Sequence, residues 1–129
     1  GVIYFKKYNY NPKNKHVEDC VIRSICAVTG FKWTEVFDDL CNIGRKNFAM
    51  PNSKTTYEKY LKEHGFKWTP LKIVKGQKRM SVKQFASKNK KGKFILSVAN
   101  HMVAVVDGKY IDTWDSGDSK LYGYWTKEN

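Results

Sequence analysis

The pair Asp107-Gly108 constrains this chain more than any other feature, because it is a two-residue sequence that a tight β-hairpin favours and candidate strands flank it on both sides. With a two-residue turn, Val106 faces Lys109 and Val103 faces Asp112 across the hairpin. Strand side chains alternate, so His101 shares a side with Val103 and becomes the diagonal neighbour of Asp112. Diagonal positions lie roughly 7 Å apart, within reach for an Asp to lean onto an imidazole and orient it. A slip of one residue would send the two side chains to opposite faces.

Around this hairpin the C-terminal part reads as strands over 94–99, 101–106, 109–114 and 121–125, and residues 2–5 read as a short strand before a polar loop. The preceding part reads as helical, over about 19–90. Asp19 is a good cap for a helix over 20–29 that Gly30 stops, with Val21, Ile25 and Val28 on one stripe and Cys20, Arg23, Ser24 and Ala27 on another. A second helix is expected over 35–41, with Thr34 as cap, Val36, Phe37, Leu40 and Cys41 facing inward, and an end by Gly44. Thr55 and Glu58 form the capping box of a third helix that Gly65 ends, and Ser81 and Gln84 form that of a fourth over 82–87. Residues 66–74 read as extended, with Pro70 placing them at a sheet edge. A helical part followed by an antiparallel sheet is the α+β pattern, and 129 residues suit a single domain spanning 1–129.

Composition narrows the function classes. The apolar runs fall far short of the ~20 residues that cross a bilayer, and the first residues lack the order of a secretory signal, so a cytoplasmic protein with no membrane partner is expected. Three cysteines at 20, 26 and 41 are an odd number without a Cys-x-x-Cys unit, which argues against a disulfide scaffold. His16, His64 and His101 are scattered, so neither a metal nor another cofactor is expected. The net charge of +12 is concentrated: residues 54–93 hold thirteen Lys and Arg against Glu58 and Glu63. That segment would attract RNA, DNA, anionic lipid or an acidic protein substrate without distinguishing among them, or it is a solvated face that keeps the chain soluble.

The His101–Asp112 pair lacks a nucleophile, and Cys20 supplies one in the first turn of a helix, where backbone N–H groups favour a thiolate. Attacking thiolate, proton shuttle and orienting acid are the three parts of thiol acyl transfer. The Cys20 backbone N–H is placed to help hold an oxyanion. The alternative for Cys20 is a small buried hydrophobe, and for His101 a histidine bonded at a strand end. Cys26 and Cys41, among apolar helix positions, read as core. Trp114 falls on the His101 face and would floor a substrate groove or serve as a core ring. Arg23 reads as a local ion pair with Asp19 or Glu18.

Asp19-Cys20 followed by Val21-Ile22-Arg23-Ser24-Ile25-Cys26-Ala27, with Asn100-His101-Met102-Val103-Ala104-Val105-Val106 and Tyr110-Ile111-Asp112-Thr113-Trp114, resembles the small papain-like cysteine peptidases, in particular the compact bacterial and phage members akin to bacteriocin-leader peptidase domains. The likeness covers segments near 14–29 and 94–114. It implies a papain-like fold, a central N-terminal helix packed on a C-terminal antiparallel sheet, and a Cys20, His101, Asp112 catalytic triad. It also implies an oxyanion-hole amide six residues before the nucleophile, which here is Asn14 in place of the usual Gln and is one methylene shorter. Lys15 and His16 are the neighbouring substitutes, and the alternative for Asn14 is a residue that caps or cross-links its own loop. The expected activity is therefore that of a cysteine peptidase or amidase working through a Cys20 thioester on a peptide or protein. Two other readings compete with it. One is a basic module that binds nucleic acid without catalysis, stacking bases on Tyr57, Tyr60 and Trp68; the other is an inactive papain-like domain that binds a protein partner.

Overall fold

The computed structural model describes residues 4–127. Among them the order is β1 (Phe5–Lys7), α1 (Cys20–Thr29), α2 (Trp33–Asn47), α3 (Lys54–Glu63), β2 (Phe66–Pro70), α4 (Val82–Lys88), β3 (Lys93–Val98), β4 (His101–Val106), β5 (Lys109–Asp112) and β6 (Gly123–Lys127). The strands form one six-stranded sheet in the order β1-β5-β4-β3-β6-β2.

The hairpin at Asp107-Gly108 forms with the expected two-residue register, Val106 opposite Lys109 and Val105 opposite Tyr110. Both turn residues have positive φ, 48° at Asp107 and 83° at Gly108. The sheet is not a simple antiparallel meander. Strand β1 runs parallel to β5, and β6 inserts between β3 and β2. The helical and sheet portions are interleaved as well, because β2 arises between α3 and α4 yet closes one sheet edge. Pro70 sits on that edge strand, where its missing N–H costs no ladder bond. Of the strand expected over 2–5, Val2 and Ile3 lie outside the described residues.

Both faces of the sheet are covered. Met102 and Ala104 join Ile95 and Trp125 against α1, α2 and α3, whereas Val103 and Val105 join Leu96, Val98 and Tyr110 against α4. Burial on both faces explains why β4 reads as a continuous apolar run rather than an alternating one.

Local signals placed the helices with some displacement. Gly30 ends α1 at φ 78°, its N–H bonding the Cys26 carbonyl. The side chain of Asp19 does not cap α1 and is spent on other partners. Helix α2 begins earlier and ends later than 35–41, running through Gly44 to a left-handed Phe48. Its Trp33 and Phe37 rings stack at 5.2 Å, leaving Phe37 39% exposed rather than inward, and Cys41 is only half-buried. Helix α3 starts after Ser53, so Thr55 lies inside it. The Ser81–Gln84 capping box of α4 forms in both directions.

Gly44 is tolerated in mid-helix because the chain folds back over it: a Cβ there would lie 2.5 Å from the Ala49 carbonyl oxygen. Ala ordinarily stabilises a helix interior relative to Gly by about 1 kcal/mol. Here Gly44→Ala is expected to destabilise by on the order of 1–3 kcal/mol, since the obstacle is backbone. Urea denaturation checks the sign, and a stabilised variant would mean that the turn after α2 does not pack this way.

Candidate active site

Helix α1 begins where strand β4 begins, and this places Cys20, the first residue of one, against His101, the first residue of the other. The hairpin sets the third member. His101 Nε2 lies 2.6 Å from Asp112 Oδ2 at the end of β5, the diagonal contact that the two-residue turn implies. With Nε2 taken by the carboxylate, Nδ1 is the ring nitrogen left for the thiol, and each of the two groups favours the charged form of the other.

The electrostatics follow from these contacts. Burial pushes the Cys20 thiol up, but the bond with His101, the Met102 backbone and the charges of His101 and Arg23 outweigh it and bring the thiol below its ordinary value. Burial also disfavours the His101 imidazolium, yet its bonds to Asp112 and Cys20 raise it to about 9. Asp112 is 1% exposed, and burial alone would raise its carboxyl. Bonds from His101 and Ser116, the His101 charge and the Arg23 bond hold it below the carboxylate range instead. Cys26 gives the contrast within one helix, since burial and the nearby Asp19 charge push its thiol up to about 11.

Cys20 and His101 open on a cleft of about 860 Å³ whose lining includes Lys15, His16, Asn52, Lys54, Tyr57 and Trp114. Trp114 is 50% exposed, just past the end of β5, with its ring centroid 5.1 Å from that of His101. It thus borders the cleft rather than the core. Asn14 does not line this cleft. Its Oδ1 accepts from Asn9 Nδ2 at 3.2 Å, and it borders a neighbouring depression with Lys7, Tyr8 and Thr113. Lys15 and His16 do reach the cleft, as do Val17, Glu18 and Asp19 of the same loop. Of the thirteen basic residues in 54–93, Lys54 alone lines it. The base-stacking expectation loses one ring, because Tyr60 is fully buried.

Arg23 is the functional candidate that the sequence reading left as a local ion pair. It does pair with Asp19, Nε to Oδ1 at 2.8 Å, but Nη1 also donates to Asp112 Oδ1 at 3.0 Å. A charged residue on an otherwise apolar helix, three positions after Cys20 and four after Asp19, was the available signal. Among the described residues no group of three or more His, Cys, Asp or Glu is arranged to hold a metal ion, and no helix is long and apolar enough to cross a membrane. Compared with protein-family models, with curated proteins and with solved structures, the chain matches none.

Proposed function

We propose that this protein is a thiol hydrolase, a cysteine peptidase or amidase of papain-like type, that cleaves a peptide or protein through a Cys20 thioester. The observation that carries the reading is that Cys20 and His101 line one open cleft and shift each other's ionisation, while His101 Nε2 lies 2.6 Å from the buried Asp112 carboxylate behind it. Cys20 Sγ attacks the substrate carbonyl as thiolate. His101 holds the thiol proton and delivers it to the leaving amine as the C–N bond breaks. Water then attacks the thioester, giving His101 a proton and releasing the acid, which leaves Cys20 as thiolate beside the His101 imidazolium for the next cycle. The first-turn N–H of Cys20 is suited to bind the oxyanion, and Asn52, Lys15 and His16 supply side-chain donors around the cleft. An amine in place of water would give transfer instead of hydrolysis with the same three residues.

Acylation by p-nitrophenyl acetate tests this directly. A burst of p-nitrophenol followed by slow turnover is expected, with acetyl mapped to Cys20 by peptide mass spectrometry. His101→Ala should lower the burst rate by on the order of 10²–10⁴-fold, the usual contribution of a positioned acid–base group. Acetyl distributed evenly over Cys20 and Cys41, with no burst, would defeat the proposal.

A further inference from the structure

Four donors converge on the buried Asp112 carboxylate. Oδ2 accepts from His101 Nε2 at 2.6 Å and from Ser116 Oγ at 2.7 Å, and Oδ1 accepts from Arg23 Nη1 at 3.0 Å and the Thr113 N–H at 2.8 Å. Arg23 is held from behind by Asp19, which is 4% exposed and whose Oδ2 takes Trp33 Nε1 at 2.9 Å and Asn11 Nδ2 at 3.3 Å. Asn11 in turn uses Oδ1 to accept the Lys13 and Lys15 N–H groups, which shapes the loop bordering the cleft. One guanidinium therefore joins the helix that carries the nucleophile to the strand that carries the acid.

We propose that Arg23 is a positioning residue of the Cys20 site, locking α1 to β5 by bridging Asp19 and Asp112 so that the thiol faces His101 and Asp112 presents Oδ2 to the imidazole. This rests on the reading of Cys20 as nucleophile for its catalytic meaning. The geometry suits Arg and not Lys, because two carboxylates are engaged by two separate nitrogens of one planar fork. Its charge has a second consequence. Asp19 and Asp112 are two buried carboxylates close to a thiol that must ionise, and the cations facing them are Arg23 on α1 and the imidazolium on β4. Without Arg23 a thiolate would join two carboxylates with the imidazolium alone to offset them.

The test compares wild type, Arg23→Lys and Arg23→Gln by the pH dependence of Cys20 carboxamidomethylation and by NMR titration of the His101 ring, with circular dichroism to establish folding. Removing the cation makes the thiolate harder and the imidazolium easier to form, so both midpoints should move to higher pH in Arg23→Gln, the thiol midpoint by about one unit and its rate at pH 6 down about tenfold. Arg23→Lys should return both midpoints to near wild type and yet react several-fold more slowly, since a point charge cannot span both carboxylates. A folded Arg23→Gln with both midpoints unchanged overturns the proposal. If Arg23→Gln does not fold, Arg23→Lys decides: a wild-type rate would overturn it. Should wild-type Cys20 react no faster than Cys41 below pH 7, the hydrolase reading fails, while the His101 midpoint in Arg23→Gln still shows whether Arg23 governs the pair.

Discussion

Cys20→Ala is expected to abolish acylation by activated esters, with a loss of at least 10³-fold in rate, and to leave the fold nearly as stable as before. The rate follows from removing the group proposed to form the covalent intermediate, since deleting a nucleophile costs about as much as deleting its whole catalytic set. The small stability effect follows from position. Cys20 is half-buried at the first turn of α1, while the helix is held by Val21, Ile22, Ile25 and Val28 in the core. A change of about 1 kcal/mol or less is therefore expected in urea denaturation. A loss above about 2 kcal/mol, with no acylation to lose, would mark Cys20 as a packing residue.

Asp112→Ala is expected to act on both levels. It leaves the Arg23 guanidinium and the His101 ring without the carboxylate that compensates them in a buried setting. Breaking a buried pair by removing one partner costs about 3–5 kcal/mol, far more than a surface bridge is worth. The pH dependence supplies a second readout. His101 is raised in the folded state from 6.5 to about 9, so its contribution to stability is fully present below about pH 6.5 and is lost as pH rises towards 9. The depressed Cys20 thiol contributes in the opposite sense, present above the unfolded thiol value and lost as pH falls. A Cys20→Ala background removes the thiol's contribution and the part of the His101 rise that Cys20 causes, leaving the part due to Asp112. In that background the fall in stability above pH 6.5 should flatten when Asp112 is replaced. An unchanged slope would show that Asp112 does not hold the imidazolium.

The pair His101–Asp112 was legible in the sequence because a two-residue Asp-Gly turn fixes register, and register decides which side chains meet. The α1 start was legible from Gly30 and the apolar stripes, and it carried Cys20 with it. What the sequence hid was mostly long-range. Asp19 looked like a cap because its type suits one, but a buried guanidinium and an indole compete for the same carboxylate and prevail. Arg23 could be paired locally from helical spacing, yet its bond to Asp112 spans 89 positions and depends on how α1 lies on the sheet. The parallel β1–β5 pairing and the insertion of β6 between β3 and β2 are decisions of the assembled sheet, invisible to the periodicity of any one strand. Asn14 bonds Asn9 within its own loop and borders a neighbouring depression rather than the Cys20 cleft, a placement set by how that loop folds and not by its spacing from Cys20.

The most direct measurement is the rate of iodoacetamide alkylation at each cysteine of the folded protein between pH 5 and 10, in wild type and His101→Ala, read by peptide mass spectrometry. Cys26 and Cys41 serve as internal references. The account predicts that Cys20 reacts rapidly below pH 7, where an ordinary thiol is almost wholly protonated, and that His101→Ala moves its midpoint back towards or above that of a free thiol. A Cys20 that reacts no faster than Cys41 below pH 7, or that is indifferent to the loss of His101, would contradict the thiolate–imidazolium pair and with it the proposed chemistry.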